Sequence, residues 1–251
     1  MRAGQQIALA ELRQQIERLG GRMRSTPPLP FGLPDLDRHL PGGGLPLAAL
    51  HDVVESGSAG AEFAGSATLF IAGIAARLEG PVLWCLDRRD LFAPSLAGVG
   101  LHPRQVIYAD AFRERDVLPA MEEGLREKGL AAVVGEVTRL GLTASRRLQL
   151  AAEASGVTAF ALRRWWNVAD REATALPTAA VTRWRISPFA SQAPPVAGLG
   201  RARWHVELLR CRGGEPRSWI LEACDAKGGL ALPADLADRS DQAPPWRAAA
   251  R

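Results

Sequence analysis

The sequence predicts an α/β fold: a doubly wound, mostly parallel sheet with a carboxy-terminal β-rich extension and an amino-terminal helical arm. Short, nearly continuous apolar runs predict parallel strands that are covered on both faces. Helical stretches at 114–127 and 143–155 alternate with these runs, as they do in a doubly wound sheet. The runs that predict the strands are 81–87, 105–110, 130–137 and 157–162.

The first element is a predicted amphipathic helix over residues 5–19, in which Ile7, Leu12 and Ile16 share an apolar stripe. Paired glycines end it, and the tether STPPLP, whose prolines exclude helix, separates it from the core. Two interpretations stay open. The helix folds back on its own domain, or it is an arm that docks on another subunit.

The core begins with leucines at helical spacing over residues 33–40, which predict a short helical turn. A tight glycine loop leads into a predicted buried strand at 48–54. The helix predicted over 63–78 consists of small and apolar residues throughout, so we expect it to be largely buried.

After residue 162 the pattern changes to alternating apolar and polar residues, which is typical of half-buried strands. Gly213 and Gly214 predict a hairpin inside the block 202–225. Trp184, Trp204 and Trp219 fall within alternating strands, so we expect them in the core. The predicted divisions are an arm and linker at 1–30, a core at 31–176, a β-rich module at 177–239 and a disordered tail at 240–251.

Composition limits the function classes. The chain has 251 residues, a hydrophobic fraction of 47% and a formal net charge of only +4, which does not by itself demand a nucleic-acid partner. The 3 cysteines form no C-x-x-C pair, so neither a zinc site nor a disulfide framework is supported. Cys85 lies in an apolar run and is expected in the core. No signal peptide or membrane-length apolar run occurs, so we expect a cytoplasmic protein with no membrane partner.

Residues 59–66 stand where a phosphate-binding P-loop is expected, between a strand and a helix. A P-loop has the pattern G-x-x-x-x-G-K-[ST], in which the lysine contacts phosphate oxygens and the hydroxyl contacts magnesium. Here the eight residues read AGAEFAGS, so Gly65 replaces the lysine and only the Ser66 hydroxyl remains. The carboxylate of Glu62 would repel phosphates. We therefore expect no nucleotide cofactor and no metal.

These features together resemble the core of RecA-type recombinases. The resemblance rests on the glycine loop GGGLP, on the spacing from the P-loop position to the strand ending LD, and on DRRDLFAPSLAGVGL at 87–101. More closely, the chain is similar to the ImuA family of damage-inducible mutagenesis proteins, related to RecA and to the division inhibitor SulA. Residues 202–239 carry the most specific part of this likeness. It covers nearly the whole chain except the final residues.

The resemblance also implies that the catalytic groups of a recombinase are lost. The acid that activates the attacking water falls on Arg89, and the Walker B aspartate falls on Gly135, with Glu136 one place later. Phosphoryl transfer needs the phosphate cradle, the metal and the water-positioning group together. We therefore expect no enzyme activity and no small-molecule substrate, and we expect Glu136 to pair with a nearby arginine.

What the family implies is a non-catalytic RecA-like adaptor of SOS-induced translesion DNA synthesis. Its implied partners are ImuB, an error-prone DnaE-type polymerase reached through ImuB, and RecA itself. One alternative is a divergent ATP-dependent, recombinase-type DNA-binding protein. Another is a SulA-like inhibitor of cell division, against which the long carboxy-terminal block argues.

Several residues are candidates for contacts with partners or with single-stranded DNA. Arginine with tryptophan suits both phosphate neutralisation with base stacking and protein hot spots, although a solvated face also accounts for it. The charged cluster 87–90 is either a relic site, which now binds a partner or closes with internal ion pairs, or an exposed charged loop, and the loop is favoured. Beyond the apolar stripe of the arm, the candidates are Arg163, Arg164, Trp165, Trp166, Arg210, Arg212, Arg217 and Trp219. The last four place the expected ImuB contact in the β-rich module.

Overall fold

A computed structural model describes residues 26–56, 64–192 and 200–233 of the chain. The helix predicted at 5–19, with its stripe of Ile7, Leu12 and Ile16, lies outside the described residues, as does the tail 240–251. The strand that ends before the P-loop position and the helix that follows it are both described.

The chain forms one sheet in the order β3-β2-β4-β5-β1-β6-β7-β8. Neighbouring strands are parallel from β3 through β6, and only the β6–β7 and β7–β8 pairs are antiparallel. This confirms the predicted α/β fold with a mostly parallel sheet. The strands are β1 Leu50–Glu55, β2 Val82–Leu86, β3 Val106–Asp110, β4 Ala132–Val137, β5 Thr158–Arg163, β6 Thr182–Phe189, β7 Arg203–Cys211 and β8 Arg217–Glu222.

Helices cover both faces of the sheet, so the parallel strands are buried as their apolar sequences require. A single 3-10 turn, Pro103–Gln105, precedes β3. The helices are α1 Pro34–His39, α2 Ala64–Ala76, α3 Ala93–Gly98, α4 Glu114–Gly124, α5 Leu142–Ser155 and α6 Val168–Ala173. The sequence did not predict α3 or α6, each of which has only 6 residues.

The two faces of the sheet form two apolar cores. On one face, α2 packs Phe70 against Trp84 and Trp184, and on the other, α4 and α5 contribute Met121 and Leu148. Successive residues of a strand point to opposite faces, so neighbours in β4 belong to different cores. The largely buried α2 confirms the expectation from its small and apolar sequence.

The β-rich extension continues this same sheet. β6 pairs in parallel with β1, and β7 and β8 form the hairpin predicted at Gly213 and Gly214. Trp184, Trp204 and Trp219 are all buried, which confirms that they belong to the core. The extension therefore shares its hydrogen bonds and its apolar core with the strands that precede it.

The strand β3 departs from prediction. It pairs only with β2 and forms an edge of the sheet, and the side chains of Ile107 and Tyr108 are 51% and 43% exposed. The expectation that this run is covered on both faces was wrong. The cause is position, because an edge strand lacks a neighbour to shield it.

None of the helices in the described part of the chain has the length and hydropathy needed to cross a membrane. The three cysteines are buried thiols, and burial raises the pKa of Cys85 to about 12, as expected of a core residue. Within residues 26–56, 64–192 and 200–233, no group of His, Cys, Asp and Glu side chains is placed to hold a metal ion.

Candidate functional site

The degenerate P-loop position lies at the amino-terminal end of α2, facing the carboxyl ends of β2, β4 and β5. Gly65 and Ser66 are in the first turn of this helix, and a cavity of about 260 Å³ opens beside Gly65. Glu136, which follows Gly135 in β4, and Arg164, which follows β5, line the cavity. Carboxyl ends of parallel strands are where doubly wound proteins place their binding sites.

Arg164 fills this site with a guanidinium group that binds two carboxylates. Its Nη1 donates to Glu136 Oε2 at 2.7 Å, and Nη1 and Nη2 each donate to one Asp90 oxygen at 2.9 Å. The indole Nε1 of Trp84 donates to the other Glu136 oxygen at 2.9 Å. The salt bridge predicted for Glu136 is confirmed, and both acids of the site are bound by protein groups rather than free for a cation.

Burial and pairing act in opposite directions on these groups. Desolvation raises the pKa of Glu136, and its hydrogen bond to Arg164 opposes that shift. For Arg164, desolvation lowers the pKa, but the hydrogen bonds to Asp90 and Glu136 outweigh it, so the pKa lies above its ordinary value. Because arginine stays protonated, we assign an ion pair, which also holds the pKa of Asp90 below its usual range.

The structure corrects the position of the Walker B acid. The sequence placed it at Gly135, with Glu136 one residue late. Gly135 instead faces Met121 of α4, on the far side of the sheet from α2, whereas Glu136 lines the cavity beside Gly65. The carboxylate on the side of the P-loop helix is therefore present, and it is neutralised by Arg164 rather than lost.

The charged cluster at 87–90 is closed by internal contacts. Asp90 binds Arg164, and Nε of Arg89 donates to Asp110 Oδ2 at 2.6 Å. The guanidinium of Arg88 lies over the Trp166 ring, 4.3 Å from its centroid. Arg88, Arg89 and Asp90 are exposed, as the favoured interpretation of an exposed charged loop expected. The ion pairs of the alternative interpretation are also present, and the partner residues lie in β3 and directly after β5.

The four candidates at and directly after the end of β5 divide into buried and accessible residues. Arg163 is fully buried, where its Nη2 donates to the Thr138 carbonyl at 2.9 Å, and Trp165 is only 3% exposed. Neither presents a surface to DNA or to a partner, so the structure contradicts a contact role for these two. Arg164 is engaged with its acids. Only Trp166 is substantially exposed.

The candidates on the β7–β8 hairpin also make internal contacts. Arg217 and the indole Nε1 of Trp219 both donate to Asp35 of α1, at 3.0 and 2.9 Å. Nη1 of Arg210 donates to the Thr178 carbonyl at 2.6 Å, and Arg212 donates to the Ala179 carbonyl at 3.2 Å. Trp219 therefore packs α1 against the sheet. The arginines still have N–H groups that these hydrogen bonds do not use.

A second concave site was missed at the sequence level. We call it the arginine pocket: a cavity of about 730 Å³ at the carboxyl end of β1 and beside the amino-terminal half of β6, lined by Arg171, Arg183, Arg185, Arg210 and Trp165. The available signal was the spacing in β6, where Arg183 and Arg185 alternate with buried Trp184 and so share one face. Its floor includes the carboxylate of Glu55.

Comparison with known proteins identifies relatives of the chain by sequence. No family model matches the chain. Proteins named "Protein ImuA" from Caulobacter vibrioides strains NA1000 / CB15N and ATCC 19089 / CIP 103742 / CB 15 are each 41% identical to it over 228 residues. The alignment covers 87% of this chain and 93% of each relative. At that identity and coverage, the chain belongs to the ImuA family.

Proposed function

We propose that the chain is a non-catalytic, RecA-like adaptor of damage-inducible mutagenesis. Membership of the ImuA family supports the role in mutagenesis. The proposed setting is SOS-induced translesion DNA synthesis in the cytoplasm, with ImuB as the direct partner and an error-prone DnaE-type polymerase reached through it. RecA is a further proposed partner.

The observation that carries the non-catalytic part is the position of Arg164. A nucleotide site needs acids that are free to hold magnesium and a cation that binds phosphate. Here Glu136 and Asp90 both bind the Arg164 guanidinium, which is only 13% exposed, and no lysine stands at Gly65. Binding ATP–magnesium would require breaking two charge-assisted ion pairs, each with geometry close to ideal.

Calorimetric titration of the full chain with ATP–magnesium tests this part, together with capture of purified ImuB on the immobilised chain with and without ATP. We expect no ATP affinity in the micromolar range, no turnover above a blank, and ImuB capture that is unchanged by nucleotide. Micromolar ATP binding, or turnover that disappears in Ser66→Ala, would restore the alternative of an ATP-dependent DNA-binding protein. Failure to capture ImuB under any condition would refute the adaptor role.

A further inference from the structure

The arginine pocket contains more arginines than acidic partners for them. Two of its four arginines have acidic partners: Arg183 lies 2.9 Å from Asp52, and Arg185 lies 2.6 Å from Glu207. The others, Arg171 and Arg210, form no ion pair with any carboxylate in the described part of the chain. Glu55 in the floor offsets one charge and accepts a hydrogen bond from the Trp165 backbone at 2.8 Å.

The register of the sheet concentrates this charge. Arg183 of β6 lies directly opposite Arg210 of β7. Like charges at opposed positions of an antiparallel pair are destabilising. Asp52 offsets the charge of Arg183, so the charge left without an acidic partner at this pair is that of Arg210, where an anion can bind.

The pocket also holds an unused hydrogen-bond donor. Trp165 lines it and is only 3% exposed, yet its indole Nε1 has no partner among the described residues. Buried indole N–H groups normally find an acceptor, because leaving one unpaired costs free energy. Because this Nε1 atom is itself buried, it marks a local cost in free energy beside the pocket, and the ligand contacts are left to the guanidinium groups.

The exposed aromatic surface near the pocket decides between two anionic ligands, single-stranded DNA and the carboxylates of a protein. Single-stranded DNA binds by stacking its bases on open aromatic faces as well as by phosphate contacts. Trp165 offers no open face, and the guanidinium groups of Arg88 and Arg164 lie 4.3 and 5.1 Å from the centroid of the Trp166 ring. The pocket thus supplies donors without a stacking platform. Guanidinium groups bind carboxylates in a bidentate geometry that needs no platform.

We propose that the arginine pocket binds an acidic segment of a protein partner through its Asp or Glu side chains. Arg171 and Arg210 would bind the carboxylates directly. A cavity of about 730 Å³ is large enough for a few side chains of an extended peptide. The inference goes beyond the adaptor role and does not depend on it, since it concerns a different surface and no named partner.

The test uses the full chain and a fluorescently labelled hexaglutamate peptide, with binding followed by fluorescence anisotropy at low and physiological salt. We expect binding that weakens with salt and that falls about tenfold or more in Arg171→Ala/Arg210→Ala, because charge-assisted hydrogen bonds are lost. The single variant Arg171→Ala gives the same direction without touching the sheet. Arg104→Ala, an exposed arginine after α3, is the matched control and should bind as the unaltered chain does.

A twelve-nucleotide oligothymidine is measured in parallel, and folding of each variant is checked by circular dichroism. Hexaglutamate binding that is equal in the pocket variants and in Arg104→Ala would overturn the proposal. So would the absence of hexaglutamate binding, or oligothymidine binding that depends on Arg171 while hexaglutamate does not bind. Each of these results leaves the ATP and ImuB measurements unaffected, so the two proposals fail separately.

Discussion

His51 is a buried residue whose pKa makes the stability of the fold depend on pH. It lies in β1, fully buried, with Nδ1 2.7 Å from the Thr182 hydroxyl and Nε2 2.8 Å from the Pro46 carbonyl. Burial lowers its pKa to about 4, while the hydrogen bond to Pro46 opposes the shift. The folded protein therefore holds a neutral imidazole across the range in which an unfolded chain would protonate it.

The lowered pKa predicts a stability that depends on pH. Unfolded chains bind a proton at this residue near pH 6.5, so its contribution is fully present above that pH and is lost as the pH falls toward 4. The total loss is about 3 kcal/mol, from the difference between the two pKa values. Urea unfolding at a series of pH values should show this decline, and His51→Gln, although less stable at neutral pH, should lack that component. An equal decline in both proteins would contradict the assignment.

Replacing glycine by alanine should have opposite effects on stability at two positions. An ideal Cβ at Gly135 would lie 2.6 Å from Cγ of Met121, a fully buried side chain. At Gly65, no atom of the described residues lies within 4 Å of such a Cβ. Gly135→Ala should destabilise the fold by about 1–3 kcal/mol through overpacking. Gly65→Ala, in the first turn of α2, should be neutral or stabilising by up to about 1 kcal/mol. Thermal unfolding of the two variants compares them directly, and equal effects would refute this account.

Single residues also show where sequence reasoning succeeds. The pairing of Glu136 was predictable, because a carboxylate within a buried strand needs a cation and arginines are abundant in this sequence. The burial of Arg163 was not, since arginine is rarely fully buried. Its partners, the Thr138 carbonyl and Asp52, belong to other parts of the sheet and become neighbours only in the fold.

At the scale of elements, the sequence identified most strands and helices but not their neighbours. β3 and β4 have similar apolar runs, yet β4 is paired on both sides and β3 on one. Edge or centre is a property of topology, and no local pattern encodes it. The short helices α3 and α6 were missed because a six-residue segment is too brief to show helical periodicity.

The continuity of the extension with the sheet predicts the result of truncation. Ending the chain after Leu176 removes β6, β7 and β8, leaves β1 unpaired on one side and uncovers the apolar face against which Trp184 packs. We expect loss of the folded state rather than selective loss of a partner, because exposed edges and cores of this size are not tolerated. Circular dichroism with proteolysis decides the matter. A truncated chain that stays folded would show that the β-rich module is separable.

At the scale of the whole molecule, the eight strands in the described part of the chain form a single sheet with an apolar core on each face. The candidate sites lie at the end of the sheet where the parallel strands finish. The closed nucleotide position is lined by Arg164, and the arginine pocket is lined by the next residue in the chain, Trp165. The sequence predicted the first from a motif with a known pattern. For the second, the only sequence signal was the alternation of Arg183 and Arg185 in β6, because its four arginines come from α6, β6 and β7 and share no motif.

The close packing of Gly135 against Met121 limits how a nucleotide site could return by mutation. A codon change at Gly65 could supply a lysine in open space, but it would meet Glu136 and Asp90 already occupied by Arg164. An aspartate at Gly135 would collide with α4 and face the wrong side of the sheet. A lineage with this architecture regains nucleotide dependence only through several coordinated changes, none of which confers an advantage alone. Under the proposed non-catalytic function, the packing around Gly135 therefore makes the loss of nucleotide dependence hard to reverse by single substitutions.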